Sequence, residues 1–514
     1  MLHNRSLEKH KILMIWVMLL SICIVVVFGI LPTDSLGQSA EDRWQEPVDF
    51  TANTDRVAWN PQIAADSMGN LHLIWRGWTG PDIQSVEATN TLFYAWWNGV
   101  EWSKPVDVIT TLELDRTIIN GNLSSTADGR IVVTWWPEGT NQIYVSQAVI
   151  GEATNAQAWS SQKVDQGTNA KLAVDSDTNR WHLTYTRENR DVVYTYSDDG
   201  GTTWATEEIL WSSPNDSSAP RTYGINIADD KSVHVTWSEY VEERNWSSEA
   251  IWHARLPSSA QADFEVREVA RSTNPAAPTL DSPVMAAGPG GALHLFWNNG
   301  IGSTTGRFHQ WSLDNGLTWS EVQPVFPGLS GQTGQAGLAF DSAGVLHLVT
   351  AANGDGYLEP LRHATWQNGA WSSYETLWPD LYEGEFPSLA VTDGNRLHLV
   401  WQFQHSKLVP ESKPFRKILY SSLALNTPTV SPVGFEKNKD IVMPVTGPIA
   451  PTPNQTSEAS ELPKVSQSVA YEDLQTAPDR LPSTTEALAW SIGSALVIVL
   501  AVIGFNLRRT RTRG

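Results

Sequence analysis

The sequence is nearly without cysteine. Its single thiol, Cys23, lies in an apolar stretch near the start of the 514-residue chain. Disulfides within the remaining chain and cysteine-ligated metal sites are therefore excluded. Basic residues are also scarce: 35 Lys and Arg stand against 56 Asp and Glu, for a formal net charge of −21. So acidic a chain is unsuited to nucleic acid or to an anionic bilayer along its bulk, and its charge serves solubility. No nucleic-acid partner, metal or other cofactor is expected.

Long apolar runs are confined to the two ends. Residues 12–31 are nearly free of charge and follow Arg5, Lys9, His10 and Lys11. They read as a signal peptide or an N-terminal membrane anchor, placed within residues 1–40. Residues 487–507 form a second apolar stretch, followed by Arg508, Arg509, Arg511 and Arg513. That reads as a transmembrane helix with a basic cytoplasmic tail, residues 508–514, so the middle of the protein faces outward. The expected location is the cell membrane, single-pass or double-pass, with membrane contact through the terminal segments. Cys23 sits in LSIC, where bulky Ile22 makes a poor lipoprotein box. LPSTTE at 481–486, with the span and tail behind it, resembles a sortase sorting signal, although Thr485 stands where that motif has Gly. A plain single-span anchor is the simpler reading.

Between the ends one unit recurs seven times. A turn followed by an alternating strand appears as GNLHLIW (69–75), GRIVVTW (129–135), NRWHLTY (179–185) and KSVHVTW (231–237). It continues as GALHLFW (291–297), GVLHLVT (344–350) and NRLHLVW (395–401). Most copies follow a short apolar strand such as QIAAD or KLAVD, and precede a third strand such as LFYAWW or VVYTYS. A Trp-Ser strand often comes fourth, as at Trp102, Trp159, Trp319 and Trp371. Four antiparallel strands repeating every ~54 residues predict propeller blades. The fold class is thus all-β, a seven-bladed β-propeller over residues 43–425. The last unit has only three strands, and RWQEPVDF (43–50) reads as the stray fourth that completes it and leaves no open edge. Residues 426–486 are rich in Pro, Ser and Thr and read as an extended stalk.

Two blades carry a further motif. SDDGGTTW (197–204) and SLDNGLTW (312–319) share Ser-x-Asp-x-Gly-x-Thr-Trp. The Asp can accept backbone N–H bonds across the turn, the Gly allows positive φ, and the Trp can fold back beneath. The pattern resembles the Asp-box, or bacterial neuraminidase repeat, of sialidases and other β-propellers. Ser197, Asp199, Gly201, Trp204, Ser312, Asp314, Gly316 and Trp319 are its structural residues. The resemblance implies that these turns lie on the face opposite a sialidase active site. It also implies six blades, where this chain repeats seven times.

The histidines His72, His182, His234, His294, His347 and His398 hold one position of successive second strands. Radial symmetry keeps them apart, so they read as packing residues rather than a metal ring. The working face is expected where the second-to-third strand loops and the inter-blade connections gather. Its candidate ligand-binding residues are Arg56, Trp59, Arg76, Trp78, Glu239 and Trp246. Sialidase chemistry, which the resemblance brings with it, needs three Arg around a carboxylate, a Tyr nucleophile activated by Glu, and an Asp. Arg116, Arg221 and Arg307 are the candidate triad, and Tyr382 with Glu385 the candidate nucleophile pair. The family's first Arg lies in an Arg-Ile-Pro motif; the matching place reads Trp59-Asn60-Pro61. The reading is a non-catalytic propeller that binds an extracellular glycan or protein. A divergent exo-sialidase or other glycoside hydrolase is the alternative, and a cell-envelope scaffold the third.

Overall fold

The computed structural model describes residues 43–51, 57–77, 90–110, 117–244, 247–258, 264–272, 280–299, 306–327, 329, 336–352, 360–381, 384–404 and 416–435. They form seven antiparallel sheets, each built from consecutive strands with the first innermost. Blade 1 spans residues 58–110, blade 2 118–166, blade 3 168–212, blade 4 218–271, blade 5 280–325, blade 6 336–376 and blade 7 384–424. Blade 6 has its outer strand in two short pieces, Ala370–Trp371 and Glu375–Thr376, both paired with Leu361–Gln367. Val48–Asp49 pairs with Arg416–Ala424 as the fourth strand of blade 7, so the two ends of the repeat close the ring. Each first strand runs from one face, here the mouth face, to the other, the base.

The second-strand histidines are buried and each meets one partner on the third strand. The Nδ1 atoms of His72, His182 and His398 lie 2.7, 2.7 and 2.8 Å from the hydroxyls of Tyr94, Tyr194 and Tyr420. Those of His234, His294 and His347 lie 2.9, 2.8 and 3.0 Å from Nε2 of His253, His309 and His363. Each partner sits opposite the residue two beyond the histidine, a fixed diagonal in the register. Blade 2 has Val132 and Val145 in these two places, both buried.

Onto each third-strand partner the next blade lowers an aromatic ring from the start of its fourth strand. Trp159 meets Tyr94, Phe264 meets Tyr194 and Trp319 meets His253, edge to face at 5.5, 6.4 and 5.1 Å. Trp371 meets His309 at 5.0 Å, and Trp102 meets Tyr420 at 5.2 Å across the closure. Trp44 meets His363 at 5.5 Å, so the segment that leads into Val48–Asp49 also supplies blade 7 with its wedge. Trp204 packs on the cluster that holds Val132 and Val145. One wedge therefore joins every blade to the next. The tryptophans that end the second strands (Trp75, Trp135, Trp237, Trp297 and Trp401) are buried core.

The two Ser-x-Asp-x-Gly-x-Thr-Trp turns lie on the base and hold their wedges in place. Asp199 accepts from the Thr203 amide at 2.8 Å and its hydroxyl at 2.7 Å, and these bonds hold its carboxyl below the usual range. Ser197 donates to Asp199 at 2.8 Å and accepts from Gly201 N at 2.9 Å. Ser312, Asp314, Gly316 and Thr318 repeat the pattern. Gly201 and Gly316 have φ of +84° and +79°; a Cβ there would lie 2.8 Å from the Trp181 ring and 2.7 Å from His234. Only glycine meets both demands.

One boundary differs from the sequence reading. The stalk is expected to begin at 426, yet residues 426–435 lie along the base. Val430 N donates to Asp393 O at 2.8 Å and Val433 N to Ser67 O at 2.7 Å. Phe435 is 2% exposed, within a cluster shared by blades 1 and 2. Composition hid this, because most of the contacts use the backbone of the segment, with the Thr427 and Thr429 hydroxyls and the Phe435 ring added. The rest of the expected stalk, the N-terminal segment 1–40, the span 487–507 and the tail lie outside the described residues. Among the described residues no helix is long and apolar enough to cross a membrane.

The histidine pairs make stability depend on acidity. Burial lowers His182 and His294 to about 4, and His234 and His398 to about 3, from an ordinary 6.5. As pH falls below 6.5 the unfolded chain takes up protons that the ring refuses. Stability should therefore be intact above that pH and drain away towards pH 4, at about 1.4 kcal/mol per unit for each group. His294 Nε2 and His309 Nδ1 have no hydrogen-bond partner. The double variant His294→Val/His309→Val, which copies blade 2, should show a shallower loss in urea titrations at pH 7 and pH 5; an unchanged slope would refute the assignment. Trp44→Ala removes the closing wedge and should cost about 3–4 kcal/mol in the same titration at pH 7.

Candidate functional site

The mouth of the channel is shaped by a fault repeated along the inner strands. Pairing with the second strand shifts between Trp59 and Gln62, Asn120 and Leu123, Thr168 and Lys171, Thr222 and Gly224, Asp281 and Val284, and Glu385 and Ser388. Asn60, Asn169, Ser282 and Phe386 take positive φ of 49–55° there. Pro61, Pro283 and Pro387 follow three of them and withdraw an N–H from the ladder. Such bulges bend the strand and release backbone groups from pairing.

Polar side chains at the bulges tie blade to blade. Gln402 on blade 7 accepts from Asn60 N on blade 1 at 3.1 Å and donates to Glu385 Oε2 at 2.6 Å. Gln62 Nε2 and Lys171 Nζ, from blades 1 and 3, both donate to the Gly121 carbonyl of blade 2, at 3.2 and 2.5 Å. Thr186 and Thr222 join blades 3 and 4 through their hydroxyls at 3.2 Å. Below this belt lies an open depression of about 390 Å³, lined by Ala64, Asn122, Ser124, Leu172, Ile225 and Asn226 among others. That volume falls in the range of small-molecule sites.

Trp59 stands at the mouth, as its place in the repeat implies, but not as an open stacking platform. It is 6% exposed. The guanidinium of Arg416 lies 3.4 Å from its ring centroid, that of Arg76 lies 5.5 Å away, and Phe386 tilts against it at 6.0 Å. Arg76 also donates to Ile118 O at 3.3 Å. Glu239 is remote from this group. It is buried in blade 4, accepting from Trp252 Nε1 at 3.0 Å and from Arg271 at 2.8 Å. Arg271 is clamped by Glu268 and Glu249 as well, and these bonds raise its pKa further.

Of the candidate triad, Arg221 lies at the mouth with its guanidinium 5.4 Å from the Tyr240 ring. Arg307 is 1% exposed and donates to Thr350 Oγ1 at 3.4 Å and to the Ala351 carbonyl. It fastens blade 5 to blade 6. Glu385 is at the mouth, bonded to Gln402. Arg116, Tyr382, Arg56, Trp78 and Trp246 lie outside the described residues. Lys171, Gln62 and Gln402 escaped the sequence reading because their strands scan as ordinary alternation, as in KLAVD; the bulge is what gives them a shared level. Among the described residues no group of three His, Asp or Glu side chains is placed to hold a metal ion.

No family model matches the chain, and no curated protein does. Several solved structures resemble it. A protein of unknown function from Dyadobacter fermentans is 13% identical with a TM-score of 0.46, over 76% of this chain and 100% of that one. A polysaccharide lyase, an ulvan lyase, is 11% identical with a TM-score of 0.49, over 75% and 97%. The intramolecular trans-sialidase from Ruminococcus gnavus is 12% identical with a TM-score of 0.39, over 73% and 96%.

Arg307→Met should strand the Ala351 carbonyl and lower stability by about 1–3 kcal/mol in urea denaturation. Unchanged stability would mean that the guanidinium does not hold the two blades together.

Proposed function

We propose that this chain is a carbohydrate-binding propeller, displayed outside the cell on a membrane anchor, which holds its ligand without turning it over. The observation that carries the reading is the use made of Arg307. A carboxylate clamp needs three guanidiniums turned toward one substrate, and Arg307 is enclosed and committed to blade 6. What the mouth offers instead is hydrogen-bonding breadth: Glu385, Asn60 and Gln62 within two adjacent blades, ordered by the buried Gln402, beside the Trp59, Arg76 and Arg416 stack. Amides, carboxylates and flat cations suit the hydroxyls of a sugar. The depression beneath has room for a small sugar unit.

The outward display is supported by the charge pattern of the two ends. Apolar residues 12–31 follow basic ones, and residues 487–507 precede four arginines. Protease added to intact cells should release a fragment ending beyond Phe435, and protection until lysis would reverse the topology.

The purified full chain should release no sialic acid from a fluorogenic sialoside above a heat-denatured control. On a glycan array it should bind, with binding at least tenfold weaker in Gln402→Leu. Turnover abolished by changing Arg116, Arg221 or Tyr382 would replace this reading with the hydrolase. An array without binding, together with capture of a protein ligand, would replace it with protein recognition.

A further inference from the structure

Lys171 is the one lysine on an inner strand at the level of the bulges. Its ammonium makes one hydrogen bond, to the Gly121 carbonyl at 2.5 Å, and no ion pair among the described residues. The charge that acts on it is another cation, Arg221 on the adjoining inner strand; burial first, and then that charge, lower Lys171 to about 8. The surroundings make this unusual. Two other lysines of the ring, Lys231 and Lys417, have carboxylates: Lys231 lies 3.0 Å from Asp175 and 2.6 Å from Asp177, and Lys417 pairs with Asp49. A chain with 56 acidic residues has no lack of counter-ions to place. Among the described residues none of them is placed within ion-pair reach of Lys171, which is half-buried against the Gly121 carbonyl. The Gly121 carbonyl is shared with Gln62 Nε2, so a second donor points to the same spot. Lys171 and Gln62 therefore converge from blades 1 and 3 on one point above the depression.

We propose that this point is an anion site, in which Lys171, supported by Gln62 and by the charge of Arg221, receives a carboxylate or sulfate group carried by a sugar. An arriving anion supplies the counter-charge that Lys171 does not find among the described residues. It accepts charge-assisted hydrogen bonds from donors already held in place. The sugar part rests on the function proposed above; the anion part does not.

The test is titration calorimetry on the purified full chain with sodium sulfate, glucuronate and glucose at constant ionic strength. Sulfate and glucuronate should bind, glucose should bind at least tenfold more weakly, and Lys171→Met should remove the difference while Lys171→Arg keeps it. Should Lys171→Met not fold, acetylation of Lys171 in the wild-type chain, read by mass spectrometry, should slow at least fivefold with sulfate. Equal binding of all three solutes, or acetylation indifferent to sulfate, overturns the anion site and leaves the carbohydrate reading standing. Sulfate binding that depends on Lys171, with neither sugar bound, upholds the anion site and overturns the sugar as its carrier. Preference for polyglutamate over every acidic sugar assigns the carrier to an acidic peptide and also overturns the sugar.

Discussion

The ring depends on one contact made seven times. A third-strand side chain, fixed by its bond to a second-strand histidine or replaced by valine in blade 2, receives an aromatic ring from the next blade. The histidine bond orients the receiving ring, and the wedge fixes the spacing between sheets. Edge-to-face aromatic pairs add about 0.5–1.5 kcal/mol each beyond the area they bury. Their larger value lies in geometry: with no cysteine in the described residues, sheet-to-sheet alignment is carried by shape and hydrogen bonds alone. The acidic range is the weakness of this arrangement, since burial holds His182, His234, His294 and His398 neutral well below the ordinary range.

Much of the fold was legible because a propeller repeats itself. The period near 54 residues, the histidine at a constant place and the orphan strand at residues 43–50 all leave marks in the sequence. The wedge rule was only half legible. Trp102, Trp159, Trp319 and Trp371 stood out, whereas Phe264 and Trp44 follow the rule without the Trp-Ser signature. Their partners could not be read, because Tyr94, His253 and Val145 belong to different residue types joined only by register. Phe435 was hidden in a segment whose composition spoke of a stalk.

The site was less legible, for a physical reason. A bulge moves one residue out of alternation, and the shift is invisible where the strand still scans as polar and apolar in turn. Lys171 within KLAVD is the clearest case. Trp59 is a second case: it can be picked out of the sequence, but the two guanidiniums that flank it come from a second strand and a third strand far along the chain. The result is a local concentration of positive charge, Arg76, Arg416, Lys171 and Arg221, in a protein whose total is −21.

The strap of residues 426–435 and the closing strand at 48–49 reach the same base, and this decides how the molecule carries load. A pull on the C-terminal side draws on Val433, Val430 and the socket of Phe435. A pull on the N-terminal side loads Trp44 first and then peels Val48–Asp49 from blade 7 one pair at a time. Neither line of force crosses the bulged inner strands. A load applied to either end of the described ring is therefore taken up at the rim and the base, away from the mouth.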